Sequence, residues 1–379
     1  MIAVVGASAA GLTAAQTLRR EGYDGPVTVI GAEDRMPYDR PPLSKQILAG
    51  AWEVDKISLP STVDGVEWRL GVRAVGLDVG GRRLALSTGD DLAYDKLVIA
   101  TGVTPRRLPF GQDLAGVHTL RTLDDTLAFK AELASAGSLV VVGAGFMGSE
   151  VAAVASGMGV DVTVVDPLPA PMIRQFGPWL GGLVAKLHAD HGVRMRLGVG
   201  VTGLTGSDRV SGVVLADGTV LPADVVLVAI GSVPNTSWLA GSGLSLTDGI
   251  DCDSLCRAAP NVVAAGDVAS WTHPVHGRRI RVEHRMNATE QGMAAARTLL
   301  GRGEPYAPIP YFWTDQYDVK IQAYGSFPDG AVPTVAAGGD VGTGRFAALY
   351  AYDGLVTGVV GWNLPRDTRQ LRARIGDPA

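Results

Sequence analysis

The sequence is poor in cysteine, since Cys252 and Cys256 are the only two among its 379 residues. Two cysteines provide no disulfide framework of the kind that small secreted domains use, so a reducing, cytoplasmic setting is expected. No cysteine precedes Cys252, and the CxxxC spacing predicts a surface turn with a structural role.

Excess positive charge and long apolar runs are also absent. A net charge of −5 and a pI near 5.7 argue against nucleic acid and anionic membranes as partners. No uninterrupted apolar stretch reaches the roughly 20 residues that a membrane-spanning helix needs. The apolar start has no basic leader, so we interpret it as part of the fold rather than as a signal peptide.

Aromatic residues make up only 6% of the chain, whereas it contains 50 glycines. This composition is typical of a turn-rich α/β protein. The length predicts two or three domains rather than one core. No metal-ligand pattern is predicted.

The first 33 residues carry a dinucleotide-binding pattern. An apolar run predicts a strand at Ile2–Val5, and Gly6, Ser8, Ala10 and Gly11 then open a predicted helix. A second predicted strand, Val27–Ile30, leads to Glu33. The helix N-terminus can bind a pyrophosphate and the acid a ribose hydroxyl.

The same pattern returns in the middle of the chain. A predicted strand, Ser138–Val142, leads into GAGFMGSE at 143–150, and a further strand ends at Asp166. Two such units indicate two dinucleotides, whereas one alone would be weak evidence. Asp166 favours NADH over NADPH because a carboxylate accepts from the 2′-hydroxyl and repels a 2′-phosphate. Arg174 is the first basic residue after it.

Three further segments are candidates for contact with a bound ligand. The segment PYDRPPLSK, residues 37–45, holds Arg40 and Lys45 on a proline-stiffened loop. Apolar strands end at Thr101-Gly102 and at Gly266-Asp267, where small residues allow close approach of a ligand.

PYDRPPLSK after a first-strand fingerprint resembles the FAD-containing, NADH-dependent ferredoxin reductases of the glutathione-reductase-like flavoproteins, which include apoptosis-inducing factor. The resemblance covers nearly the whole chain. It implies an α/β fold with two Rossmann-type dinucleotide-binding domains and a smaller α+β C-terminal domain. The expected FAD-binding domain is 1–108 with 234–305, the NAD-binding domain 109–233 and the C-terminal domain 306–379.

The resemblance implies roles for specific residues. Lys45, Glu150 and Trp313 are the expected catalytic residues, with Glu150 paired to Lys45 where nicotinamide meets flavin. The expected FAD site comprises Gly6, Ser8, Ala10, Gly11, Glu33, Arg40, Lys45, Thr101, Gly102, Gly266, Asp267 and Trp313. The expected NAD site comprises Gly143, Gly145, Phe146, Met147, Gly148, Asp166, Arg174 and Gly231.

The sequence departs from the family pattern at two positions. Ser8 replaces the second glycine of the first fingerprint, so we expect a slightly displaced pyrophosphate contact with FAD retained. Arg285 stands where the family commonly has an aromatic residue, and its role is left open. We interpret the preceding His284 as structural, since hydride transfer to a flavin needs no general acid.

The expected reaction passes a hydride from NADH to FAD and then single electrons to an iron–sulfur ferredoxin that serves an oxygenase. Residues 34 to 50 lack the cysteines that disulfide reductases and NADH peroxidases use there. Two alternatives remain, an NADH oxidase or quinone reductase and an NADH-sensing redox switch of the apoptosis-inducing-factor type. The basic segment Arg366 to Arg374, predicted as a helix, is either a solvated face or a docking surface for an acidic ferredoxin.

Overall fold

The chain folds into two compact units, as described by a computed structural model for residues 1–275 and 277–379. Each unit is assembled from three separate segments. Unit 1 comprises Met1–Asp39, Val54–Thr104 and Val233–Pro310, and unit 2 comprises Arg40–Glu53, Pro105–Ser232 and Tyr311–Ala379.

Six α-helices lie in the described part of the chain. They are α1 (Ala9–Arg20), α2 (Leu123–Leu133), α3 (Phe146–Gly157), α4 (Ile173–Asp190), α5 (Arg285–Leu299) and α6 (Pro365–Leu371). Short 3₁₀ helices are Pro41–Ser44, Val54–Ile57, Ser237–Leu239, Gly266–Val268, Val341–Thr343 and Arg372–Arg374. Among the described residues, no helix combines the length and the apolar character that crossing a membrane requires.

Unit 1 is built on a six-stranded sheet that is parallel except at one edge. Its strands, in spatial order, are Arg257–Ala259, Val262–Ala264, Lys96–Ile99, Ile2–Val5, Val27–Ile30 and Val66–Arg69. Two three-stranded sheets accompany it. They are Ala74–Asp78, Arg83–Leu86 and Asp91–Ala93, and Ile250–Cys252, Ala269–Thr272 and Arg279–Arg281.

Unit 2 contains a parallel nucleotide-type sheet and an antiparallel C-terminal sheet. The parallel sheet consists of Arg194–Leu197, Asp161–Asp166, Ser138–Val142, Val225–Val228 and Val117–His118. The C-terminal sheet consists of Tyr311–Gln316, Val319–Gly325, Leu355–Trp362, Phe346–Tyr352 and Val332–Gly338. A smaller sheet of Val201–Gly206, Val210–Leu215 and Val220–Pro222 also lies here, and the short strands Val103–Pro105 and Ser232–Pro234 lie where the chain changes unit.

The fold class predicted from the sequence is confirmed, because each unit has a parallel sheet whose glycine turn opens a helix. Unit 1 buries the small residues of α1 against α5, where a Cβ added at Gly292 would come within 2.5 Å of the Ala10 carbonyl oxygen. In unit 2, Phe146 of α3 and Phe312 of the C-terminal sheet pack edge to face with ring centroids 5.4 Å apart.

The helix α4 is kinked near its N-terminal end. α4 starts at Ile173 and continues through a kink at Gly177, whose φ of 75° is not helical, followed by Pro178. Pro178 lacks the N–H that a helix interior needs, which accounts for the interruption at this point. Burial of Phe176 and Leu180 on one side of the core holds both halves of α4 together.

Candidate active site

Two glycines in the glycine turn of unit 1 lie too close to backbone carbonyl groups to carry a side chain. A Cβ at Gly6 would overlap the Ala100 carbonyl oxygen, and one at Gly11 would overlap the carbonyl oxygen of Gly6. Within the described residues, the side chain of Ser8, the N-cap of α1, makes no capping hydrogen bond. Its hydroxyl and the first N–H groups of α1 are therefore available at the positive end of the helix.

The glycine turn of unit 2 has the same construction and an open side. Added Cβ atoms at Gly143 and Gly148 would overlap the carbonyl oxygens of Ala229 and Gly143. Gly145, the N-cap of α3, differs, because no described atom lies within 4 Å of a Cβ added there. Phe146 and Met147 follow as the first residues of α3. This open approach to a helix N-terminus fits a pyrophosphate.

The acids that follow the second strand of each pattern are held in place by short-range contacts. Glu33 accepts a hydrogen bond from the hydroxyl of Tyr38. Asp166 accepts from the backbone N–H of Ala144 at 2.7 Å and of Leu168 at 2.8 Å. Since a carboxylate has about four acceptor positions, Asp166 can still bind ribose hydroxyls.

The strand-end turn at Thr101-Gly102 in unit 1 is held by hydrogen bonds with Asn235. Asn235 Nδ2 donates to the Thr101 carbonyl oxygen at 2.9 Å, and Thr101 Oγ1 donates to the Asn235 carbonyl oxygen at 3.0 Å. Gly102 has a φ of 66°, which suits glycine. Sequence reasoning missed Asn235 as a partner of this turn.

The predicted Gly266-Asp267 turn lies against the first glycine turn. A Cβ added at Gly266 would come within 3.0 Å of the Cβ of Ala10, and Gly266 N–H donates to Gln291 Oε1 at 2.9 Å. Asp267 follows in the 3₁₀ helix Gly266–Val268, and its carbonyl oxygen accepts from Arg281. The structure thus brings these two predicted FAD segments together within unit 1.

Lys45 and Glu150 form a buried ion pair within unit 2. Lys45 Nζ lies 2.7 Å from Glu150 Oε2, and the two residues are only 9% and 5% exposed. The 3₁₀ helix Pro41–Ser44 leads directly into Lys45, and Glu150 lies on the buried side of α3. The contact expected between these two residues is therefore present, while their role in catalysis stays a prediction.

Two hydroxyl groups that sequence reasoning missed complete the surroundings of Glu150. Ser44 Oγ donates to Glu150 Oε2 at 2.5 Å, and Thr314 Oγ1 donates to Glu150 Oε1 at 2.9 Å. Both hydroxyls neighbour predicted residues, Lys45 and Trp313. Adjacency to Trp313 was no signal for Thr314, because neighbours in a strand face opposite sides.

The remaining predicted residues are more exposed or lie elsewhere in unit 2. Arg40 Nη1 donates to the Arg121 carbonyl oxygen at 2.7 Å. Arg174 is exposed in the first turn of α4, and Gly231 accepts a hydrogen bond from the N–H of Arg106. Trp313 is partly exposed beside Tyr311, with ring centroids 5.8 Å apart. Arg174 and Trp313 are thus not part of the cluster around Glu150.

The prediction that the cysteines lie on a surface turn is wrong. Cys252 ends the strand Ile250–Cys252 at 2% exposure, and Cys256 is fully buried in the core of unit 1. Burial raises the pKa of Cys252 to about 12 and raises that of Cys256 as well. Both are free thiols, and at neutral pH both stay protonated and poorly reactive.

His284 and Arg285 are held at the start of α5. Burial lowers the pKa of His284 to about 4, so its imidazole is neutral at pH 7. Arg285 donates from Nε to Asp39 and from Nη1 to Thr289. At the position where the family commonly has an aromatic residue, this chain therefore has an arginine whose charge is paired with Asp39.

The predicted basic helix at the C-terminus is shorter than expected. α6 ends at Leu371, and a 3₁₀ turn, Arg372–Arg374, follows it. The side chains of Arg366, Arg369, Arg372 and Arg374 are exposed. Arg372 lies over the ring of Tyr324, 5.4 Å from its centroid, and Tyr324 stacks on Tyr311.

Two family models match this chain. Residues 1–292 match the pyridine nucleotide-disulphide oxidoreductase family, and residues 311–378 match the reductase C-terminal family.

Similar proteins match along nearly the whole chain. Rhodocoxin reductase of Rhodococcus erythropolis is 37% identical, covering 98% of this chain and 88% of its own. The ferredoxin reductase subunit of 5,5′-dehydrodivanillate O-demethylase from Sphingobium sp. is 38% identical, covering 99% and 92%. The crystal structure of the covalent putidaredoxin reductase–putidaredoxin complex matches with a TM-score of 0.93 at 31% identity, covering 100% and 93%.

Proposed function

This chain belongs to the pyridine nucleotide-disulphide oxidoreductase family, and we propose that it works as an FAD-dependent NADH:ferredoxin reductase that supplies an oxygenase. The cofactors of the family are a flavin and a nicotinamide nucleotide. When bound, they supply hydride transfer and the onward passage of single electrons. The protein supplies binding, alignment and exclusion of water.

The observation that carries this proposal is the state of the two cysteines. A disulfide reductase needs a reactive thiol pair, but Cys252 and Cys256 are buried, and burial raises the pKa of both thiols. The chain has no other cysteine. An external one-electron acceptor is therefore favoured over a thiol relay. The relatives named ferredoxin reductases support the same acceptor class.

The FAD site proposed for this chain uses the first glycine turn and its neighbours. Backbone N–H groups of α1 and the Ser8 hydroxyl bind the pyrophosphate, and Glu33 accepts from the adenosine ribose. The full proposed set is Gly6, Ser8, Ala10, Gly11, Glu33, Arg40, Lys45, Thr101, Gly102, Gly266, Asp267 and Trp313. The close packing of Gly266 on Ala10, both in unit 1, supports a shared binding surface for these two segments.

The nicotinamide site proposed for this chain uses the second glycine turn. The open side of Gly145 admits the pyrophosphate, and Asp166 selects NADH by accepting from the 2′-hydroxyl. The full proposed set is Gly143, Gly145, Phe146, Met147, Gly148, Asp166, Arg174 and Gly231. Arg174 is exposed and would be the residue to bind a 2′-phosphate if NADPH were used.

Lys45 and Glu150 act on the hydride-transfer step in this proposal. Their burial excludes water from the pair, so the two charges hold each other in one orientation. The corresponding domain assignment is FAD-binding at 1–108 and 234–305, NAD-binding at 109–233, and a C-terminal ferredoxin-reductase-type domain at 306–379. A cytoplasmic location completes the proposal.

The test is anaerobic titration of the purified yellow protein with NADH and then with NADPH. We expect complete flavin reduction by NADH at low concentration and weaker reduction by NADPH. Cytochrome c reduction is then measured with and without small ferredoxins from the same source. No stimulation by any ferredoxin would contradict the acceptor and favour an NADH oxidase or quinone reductase. Very slow reduction coupled to a change in oligomeric state would favour a redox switch.

A further inference from the structure

We propose that Thr314 is a positioning residue for Glu150, so that the C-terminal sheet helps to set the hydride-transfer centre. The inference deepens the proposed function and rests on it, because it assigns the Lys45–Glu150 pair to that step. It concerns a contact made wholly within unit 2.

The two carboxylate oxygens of Glu150 are held by different parts of the chain. Oε2 accepts from Lys45 Nζ at 2.7 Å and from Ser44 Oγ at 2.5 Å. Oε1 accepts from Thr314 Oγ1 at 2.9 Å. Three donors on two oxygens fix the plane of the carboxylate as well as its position. Without Thr314, the carboxylate could rotate about its last bond, and the direction of Oε2 toward Lys45 would be less well defined.

A second buried side chain determines which way the Thr314 hydroxyl points. Gln316 Nε2 donates to Thr314 Oγ1 at 3.2 Å and also lies 4.0 Å from Met172 Sδ. A hydroxyl has one hydrogen to donate. With Gln316 occupying an acceptor position on Oγ1, the hydrogen of Thr314 is directed to Glu150.

The burial pattern of the strand Tyr311–Gln316 gives an independent reason to assign Thr314 this role. Its buried face carries Phe312, Thr314 and Gln316, of which the two polar residues are 0% and 1% exposed. A core strand ordinarily presents apolar residues on this face, since an unpaired buried hydroxyl is costly. Valine has the shape of threonine and would pack there equally well. The hydroxyl is therefore explained by its bond to Glu150.

The first test compares Thr314→Val with Thr314→Ser in anaerobic stopped-flow reduction of the bound flavin by NADH. Loss of a hydrogen bond to a charged group predicts reduction about tenfold slower in Thr314→Val, with KM for NADH nearly unchanged. Thr314→Ser keeps the hydroxyl and should reduce at nearly the wild-type rate. A wild-type rate in Thr314→Val, or an equally slow Thr314→Ser, would overturn the proposal.

Thr368→Val is the matched control. Thr368 is also a fully buried threonine of unit 2, but its hydroxyl donates to the Leu364 carbonyl oxygen at 2.7 Å. We expect it to lower stability without slowing flavin reduction. Slowing equal to that of Thr314→Val would show a general effect of buried hydroxyl loss and would overturn the assignment. If Thr314→Val does not fold, Gln316→Met replaces it, with a several-fold slowing expected and a wild-type rate contradicting the proposal.

The second test asks whether Thr314 acts through Glu150. Adding Thr314→Val to Glu150→Ala should cause no further slowing, because Glu150→Ala already removes the acceptor of the Thr314 hydrogen bond. Additive slowing would contradict the proposal.

An infrared measurement separates failure of this inference from failure of the proposed function. The carboxylate band that Glu150→Gln removes should shift in Thr314→Val and stay in place in Thr368→Val, whether or not any ferredoxin accepts electrons. An unshifted band in Thr314→Val would overturn the inference alone.

Discussion

Lys45 Nζ and Glu150 Oε2 lie 2.7 Å apart although 105 positions separate the two residues in the chain. The loop that carries Lys45 belongs to unit 2, although the preceding residues, up to Asp39, belong to unit 1. The pair therefore depends on the chain leaving unit 1 just before the stiff Pro41–Ser44 segment. A buried ion pair of this kind is weak evidence for stability alone, which is why a functional role is the better explanation.

Removing either charge should slow flavin reduction and destabilise unit 2. Lys45→Met leaves the Glu150 carboxylate buried without its counter-charge, and Glu150→Gln does the same to the Lys45 ammonium group. Each loss should lower the free energy of unfolding by about 3 kcal/mol. The double variant should lose less stability than the sum of the two single losses. Urea unfolding and anaerobic stopped-flow reduction by NADH measure both effects.

Lys320→Met is the control for this pair. Lys320 makes an ion pair with Asp315 at 2.6 Å, but its side chain is 47% exposed. Exposed pairs contribute less than about 1 kcal/mol, so we expect a small stability change and an unchanged reduction rate. Unchanged rates in both Lys45→Met and Glu150→Gln would refute the role proposed for the pair.

Two glycines of the second turn should respond in opposite ways to alanine. Gly145→Ala meets no described atom within 4 Å and has an ordinary φ of −76°, so the fold should tolerate it. A methyl group there would instead meet the bound nucleotide, so KM for NADH should rise at least severalfold. Gly143→Ala would overlap the Ala229 carbonyl oxygen at a φ of 109° and should destabilise the protein strongly.

Thermal unfolding and steady-state kinetics with NADH and an artificial dye separate these outcomes. If Gly145→Ala binds NADH as the wild type does, then the pyrophosphate does not approach this turn. If Gly143→Ala is as stable as wild type, the backbone contact at Ala229 is not rigid.

The exposed arginines of α6 should affect the KM for ferredoxin but not the reduction of the flavin by NADH. Arg366→Gln with Arg369→Gln should raise KM for an acidic ferredoxin at low salt, and the difference should shrink at high salt because exposed charges are screened. Dye reduction by NADH should not change. Lys186→Gln, an exposed lysine on α4 of the same unit, is the control. An equal effect of Lys186→Gln would mean that overall charge, rather than this surface, governs association.

Much of the framework was predictable because apolar periodicity is a local signal. The strands Ile2–Val5, Val27–Ile30 and Ser138–Val142 have the bounds that their sequence pattern predicts. The Glu150 cluster was only half predictable. Thr314 and Gln316 interrupt the apolar face of their strand, and the partner that explains them comes from α3. Cys256 was misplaced for a similar reason, since its polar neighbours indicate a turn but its side chain enters the core with a φ of 63°.

Two buried histidines should make the protein less stable at acid pH. Burial lowers the pKa of His188 and of His284 from 6.5 to about 4. The unfolded chain therefore binds protons on these imidazoles at a higher pH than the folded protein does. The stability that each contributes is complete above pH 6.5 and is lost as the pH falls toward 4. By pH 5 the loss in free energy of unfolding is about 2 kcal/mol for each histidine.

Urea unfolding between pH 7 and pH 5 tests this dependence. His188 Nδ1 lies 2.9 Å from the Tyr317 hydroxyl, so His188→Gln keeps a polar partner for that group while removing the titration. The pH dependence should flatten by about 2 kcal/mol in His188→Gln and similarly in His284→Gln. Thr368→Val should lower the whole curve without changing its slope, because threonine does not titrate. An unchanged slope in both histidine variants would mean that other groups govern acid unfolding.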